Sequence, residues 1–191
     1  DTIQGNPLAT VYAVKNKVKP GQNYPVYEAL DKLKYDAVAM GNHEFNYGLD
    51  FIKQITDKSV MKATAVNSNV YDVKTGKNVF EPYKIIEEKV IDENGKEQTV
   101  KVGIISVVPQ QIMNWDGLHL NGKVTVKDMV ESAKEMTEKL KDKTDIIIAL
   151  AHTGAGDENY TPGAENAAGS ADEHAATRVP PGRWRYCQKQ P

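Results

Sequence analysis

Residues 145–151 form an almost purely apolar run that stops abruptly at His152-Thr153-Gly154. A run this short and uninterrupted reads as a strand buried on both faces, the kind found in parallel sheets covered by helices. Two more candidate strands lie upstream. Residues 36–40 end directly in Gly41-Asn42-His43-Glu44, and residues 63–70 run into Asn67-Ser68-Asn69. Helical patterns separate these strands. Asn6 and Pro7 suit the cap and first position of a helix with Leu8, Val11 and Tyr12 as its apolar face. Residues 25–34 carry Val26, Leu30 and Leu33 at helical spacing, and residues 48–58 carry Leu49, Ile52 and Ile55. Thr125 with Asp128 resembles a capping box that opens the clearest helix, whose apolar stripe runs from Val126 through Met129, Ala133 and Met136 to Leu140. Lys127, Glu131, Lys134, Glu135 and Glu138 occupy its polar face. Alternating strands and helices predict an α/β domain with mostly parallel strands. Residues 83–91 and 98–108, joined by the turn-forming residues 92–96, predict a hairpin, so the sheets are mixed.

In α/β sheets, ligands collect at the carboxyl ends of strands. Two predicted strands finish in ligand-type side chains: Asn42-His43-Glu44 after one, His152 after another. Asp1 stands four residues before Gly5, where an earlier strand would deliver it into the turn that opens the first helix. Carboxylate, amide oxygen and imidazole together suit borderline-hard divalent metals such as Zn, Mn or Fe. Plainer readings stand beside this one. Gly41-Asn42-His43-Glu44 also reads as a tight strand-to-helix turn, and His152 as a satisfied histidine at a strand end. Asp1 alone carries no signal.

The strings themselves are more specific in combination. Asp1-Thr2-Ile3-Gln4-Gly5-Asn6-Pro7-Leu8, Gly41-Asn42-His43-Glu44-Phe45-Asn46-Tyr47-Gly48-Leu49 and Ala149-Leu150-Ala151-His152-Thr153-Gly154 occur in this order. With them the chain resembles the calcineurin-like metallophosphoesterases, and within these the secreted bacterial 2′,3′-cyclic-nucleotide 2′-phosphodiesterase/3′-nucleotidase branch of the 5′-nucleotidase family. The strings Val107-Val108-Pro109-Gln110-Gln111-Ile112-Met113-Asn114-Trp115-Asp116 and Thr161-Pro162-Gly163-Ala164-Glu165-Asn166-Ala167 fit the same branch.

The resemblance implies a four-layer α/β/β/α sandwich with mixed sheets and a two-metal site at the strand ends. It implies metal-dependent hydrolysis of nucleotide phosphoesters, in which a hydroxide held between two divalent ions attacks phosphorus. By motif, Asp1 matches the carboxylate that bridges the metals, and Asn42 and His152 match two ligands of one of them. His43 matches the non-ligand catalytic histidine that faces the scissile phosphate. Two departures stand out. An Asp that orients this histidine in some relatives is replaced by Asn46, which can hold one imidazole tautomer but lacks a carboxylate's charge. The family's upstream Asp-x-His and downstream Gly-His-x-His are not present. The chain therefore reads as an interior piece of a catalytic domain, its four-layer fold incomplete. Two other readings follow: a catalytically inactive fragment with at most a partial metal or phosphate site, and an unrelated α/β ligand-binding module.

Composition adds a boundary. The chain of 191 residues has a net charge of −2 with 40% hydrophobic residues, which excludes a disordered acidic tail and a strongly basic nucleic-acid binder. Its basic residues are 21 Lys and 3 Arg, and Arg178, Arg183 and Arg185 all fall near the end, as does the lone Cys187. Two compositions join near Ala167: residues 1–167 match the catalytic domain, and residues 168–191 read as a non-matching, disordered tail. A cysteine-free body suits an oxidising compartment, and the resemblance places the parent protein outside the cytoplasm, periplasmic, extracellular or cell-wall bound. No segment is long and apolar enough for a membrane span, and the expected partner is a nucleotide rather than a nucleic-acid polymer.

Overall fold

Asn6 opens the first helix as its chemistry predicts: its side-chain oxygen accepts from the Ala9 amide at 2.8 Å, and Pro7 takes the first helical position. The computed structural model describes residues 1–155 and 178–179. Helix α1 (Pro7–Thr10) continues into a π-helical turn, Val11–Lys15. Its inward face differs from the expected one. Ala9 and Ala13 are buried, while Leu8 is 53% exposed and Val11 36%. The small alanines let the backbone come close to the buried Tyr24, whose hydroxyl donates to the carbonyls of Ile3 and Ala9.

Helix α2 (Pro25–Lys32) buries Tyr27 and leaves Leu33 exposed, because the helix ends before Leu33 and that residue leaves the packed face. Strand β1 (Ala37–Ala39) leads into a 3-10 turn, Asn42–Phe45, and then helix α3 (Leu49–Ile55), which buries Leu49, Phe51, Ile52 and Ile55. Each such side chain contributes about 1.5–3 kcal/mol through loss of contact with water. Strand β2 (Thr64–Val66) pairs in parallel with β1.

The predicted strand over residues 63–70 is in fact two. Asn67 to Asn69 break it, and β3 (Val70–Asp72) follows in a different sheet. These three polar residues are fully buried and form a joint. Ser68 exchanges backbone and side-chain hydrogen bonds with Ser106, and its hydroxyl donates to the Pro82 carbonyl. The Asn69 amide donates to the Val108 and Lys127 carbonyls and accepts from the Val108 amide. The satisfied groups of Ser68 and Asn69 specify one arrangement of the segments they join, while Asn67 Nδ2 is buried without a hydrogen-bond partner among the described residues.

The hairpin forms as predicted: β4 (Tyr83–Ile91) and β5 (Glu97–Val107) pair antiparallel. Two short helices, α4 (Ile112–Trp115) and α5 (Gly117–Leu120), then precede β6 (Val124–Val126), which pairs antiparallel with β3. Helix α6 (Met129–Leu140) is capped by Asp128, which accepts from the Val130 and Glu131 amides. Thr125 thus belongs to β6 rather than to a capping box, since pairing with β3 holds it extended. Ala133, Met136 and Leu140 pack with Ile105 of β5 in a small second core.

Strand β7 (Ile146–Ala151) lies parallel to β5. The apolar run predicts burial on both faces, yet Ile146 is 52% exposed and Ile148 44%, and Ala149 and Ala151 are exposed too. Ile147 packs against the α6 cluster, the one contact of this strand with that core among the described residues. Beyond it, β8 (Gly154–Ala155) pairs in parallel with β9 (Arg178–Val179). The architecture is mixed α/β. The motif over residues 161–167, the composition boundary and the expected disorder of the rest of residues 168–191 lie outside the described residues.

Candidate active site

Gly41 is where the first strand ends, and the crowding there explains the residue. A Cβ on Gly41 would meet Asp1 Oδ1 at 2.5 Å, the Asp1 nitrogen at 2.9 Å and Glu44 Oε2 at 2.9 Å. Glu44 sits fully buried beneath this turn. It accepts from the Gly41 amide at 2.8 Å, from the Asp1 amino group at 2.7 Å, and from the amide and hydroxyl of Thr2. Burial alone would raise the Glu44 carboxyl's pKa. Hydrogen bonds from the Asp1, Thr2 and Gly41 nitrogens oppose that by favouring the carboxylate. A buried carboxylate therefore ties the N-terminal segment to the turn after β1.

That tie delivers Asp1 to its neighbours. Asp1 Oδ1 accepts from the His43 amide at 3.1 Å, and Oδ2 lies 3.2 Å from His152 Nε2. His152 follows β7, and its Nε2 lies 2.6 Å from Asn42 Oδ1. His152 Nε2 thus faces two oxygens, Asn42 Oδ1 and Asp1 Oδ2. The structure thus gathers Asp1, Asn42 and His152 from three distant segments and sets His43 beside them.

The donor set fits a divalent cation. A carboxylate oxygen, an amide oxygen and an imidazole nitrogen converge here, the donor types that borderline-hard divalent ions take. Among the described residues no three His, Cys, Asp or Glu side chains gather, because the third donor here is the Asn42 amide.

His43 belongs to a second chain of contacts. Its Nδ1 lies 2.6 Å from Asn46 Oδ1, and Asn46 Nδ2 donates to Asp116 Oδ1 at 2.8 Å. Asp116 is 6% exposed, and its Oδ2 is buried without a hydrogen-bond partner among the described residues. It stands between α4 and α5, anchored by the fully buried Ile112 and Leu120. The sequence reading gave Asp116 no role. Nothing local marks it, since its partner lies 70 positions away.

Comparison with known proteins follows this geometry. The pattern for calcineurin-like phosphoesterase matches residues 3–179. Trifunctional nucleotide phosphoesterase protein YfkN of Bacillus subtilis is 49% identical over 174 residues, covering 87% of this chain and 12% of that protein. A 2′,3′-cyclic-nucleotide 2′-phosphodiesterase/3′-nucleotidase of Salmonella typhimurium is 46% identical over 167 residues, covering 87% of this chain and 25% of that one. The crystal structure of calcineurin-like phosphoesterase YfkN from Bacillus subtilis superposes with a TM-score of 0.74 at 49% identity, over 80% of this chain and 46% of that one. The chain belongs to the calcineurin-like phosphoesterase family, a family that generally uses divalent metal ions. It spans a quarter or less of these two curated relatives. Among the described residues no helix is long and apolar enough to cross a membrane.

Proposed function

We propose that this chain carries part of the catalytic site of a metal-dependent nucleotide phosphoesterase that acts on 2′,3′-cyclic nucleotides and on 3′- or 5′-nucleotides. The observation that supports it is the convergence of Asp1, Asn42 and His152 beside His43. Divalent ions, Zn, Mn or Fe, would supply an activated water and offset charge on the phosphoryl oxygens. Asp1 would bridge two of them, and Asn42 and His152 would hold one. The neutral Asn42 oxygen leaves the site's positive charge available to an anionic substrate. His43, when protonated, stabilises the charge that develops on phosphorus's oxygens and hands a proton to the leaving ribose oxygen. We further assign residues 1–167 to an incomplete four-layer domain and residues 168–191 to a segment of other origin. The parent enzyme would work outside the cytoplasm, which the absence of cysteine from residues 1–167 supports.

A second reading is a catalytically inactive chain that keeps at most a partial metal or phosphate site; the three converging donors, Asp1, Asn42 and His152, favour it because they would serve a single ion. Calorimetric titration of the chain with Mn²⁺ or Zn²⁺, paired with hydrolysis assays on 2′,3′-cyclic AMP and 3′-AMP, tests both. One ion should bind, tighter at higher pH as protons cease to compete for the imidazole, and Asn42→Ala or His152→Ala should weaken it about tenfold or more. Equal affinity in those variants would remove the metal reading. Enzyme-like turnover by this chain alone would remove the incomplete-site reading.

A further inference from the structure

We propose that Asp116 is a positioning residue for His43, acting through Asn46 to fix which imidazole nitrogen carries the proton. The inference rests on the proposed role of His43 at the scissile phosphate. As a carboxylate, Asp116 only accepts hydrogen bonds, whereas the Asn46 amide has a donor end and an acceptor end. With Asn46 Nδ2 donating to Asp116 Oδ1 at 2.8 Å, turning the amide over would press two acceptors together in a buried space. The amide is therefore locked with its oxygen toward His43 Nδ1, at 2.6 Å, and that nitrogen must bear a proton. In the neutral ring the lone pair then resides on Nε2. In the protonated ring Nε2 holds the proton that can be given to a leaving oxygen. Asn46 alone cannot impose this, because an amide with no charged neighbour serves either tautomer equally well.

The carboxylate has no competing task in the surrounding backbone. Asp116 is the N-cap of α5, yet its side chain makes no capping hydrogen bond there. The amides of His119 and Leu120 go to its main-chain carbonyl. A carboxylate this buried is costly, and among the described residues its Oδ2 has no hydrogen-bond partner, so its charge serves something other than packing. Among the described residues its side chain accepts from the Asn46 amide that contacts His43.

The test is nitrogen NMR of the labelled 191-residue chain at alkaline pH, where imidazoles are neutral. The His43 ring signals are identified among those of the 4 histidines by comparison with His43→Gln. The wild-type ring should carry its proton on Nδ1. Asp116→Asn should bring the Nε2-protonated form to at least a comparable share, and the swap Asn46→Asp with Asp116→Asn should restore Nδ1 protonation. In the parent-length enzyme, Asp116→Asn should lower kcat by roughly tenfold or more with KM changed less than about twofold, and the swap should regain most of it. A side chain that only filled space would not be rescued by moving the charge. A wild-type ring protonated on Nε2, or an unchanged tautomer in Asp116→Asn, overturns the relay whatever the activity shows, and the wild-type measurement decides even if that variant does not fold. Unchanged turnover in His43→Gln overturns the catalytic reading of His43 alone.

Discussion

At the scale of single residues, Glu44 is the side chain on which the site's geometry most depends. Its two oxygens hold the Asp1 amino group, Thr2 and the Gly41 amide in one buried knot. Replacing it by glutamine sets an NH₂ against donors, and the expected cost is about 2–4 kcal/mol in chemical denaturation. Asp1, Asn42, His43 and His152 were all visible in the sequence as donors at segment ends. Glu44 is legible in the sequence as a turn residue or a ligand-type side chain, and not as the buried anchor of the distant N-terminal segment.

At the scale of elements, the longest helix shows how local and tertiary signals divide the work. Its polar and apolar faces follow from periodicity, and Ala133, Met136 and Leu140 are buried as the 3.6-residue repeat requires. Its start does not follow from the Thr125–Asp128 spacing, since β3 recruits Thr125 into a strand and Asp128 caps the helix instead. Asp128→Ala should cost about 1 kcal/mol and Thr125→Ala less than about 0.5 kcal/mol in urea denaturation. The reverse ranking would restore the capping box. The first helix makes the same point with its faces: Leu8 and Val11 outnumber the alanines in apolar surface, yet the close approach to Tyr24 decides which side turns inward. Strand β7 was recognisable from its apolar run, while the exposure of Ile146 and Ile148 depends on what packs against the strand.

At the scale of the whole molecule, the charge of −2 is an average over two unlike segments, an Arg-free acidic body and an Arg-bearing end. If residues 168–191 are of separate origin, their deletion should leave the far-ultraviolet circular dichroism nearly unchanged and move Tm by no more than about 2 °C. The described structure ties that segment to the rest through the short β8–β9 pair. A large loss of structure on deletion would place the segment within the fold. One buried apolar cluster runs through the described body from Ile3 to Val124, and the polar contacts of Asn67, Ser68 and Asn69 fix how β2, β3 and β5 meet within it. These residues looked like the polar end of a strand, because hydrogen bonds across 38 or 39 positions leave no local pattern.

The sequence by itself determined the strands after residues 36 and 145, the hairpin, the N-cap at Asn6 and which side chains could serve as ligands. These depend on the period of apolar residues and on the chemistry of each side chain, both of which are local. Tertiary structure alone decided that Asp1, Asn42 and His152 come together and that Glu44 fastens Asp1 to the turn after β1. It also decided that Asp116 stands behind Asn46 and His43. Each of those facts is a distance between segments far apart in the chain, set by how the core packs, and no spacing within a segment encodes it.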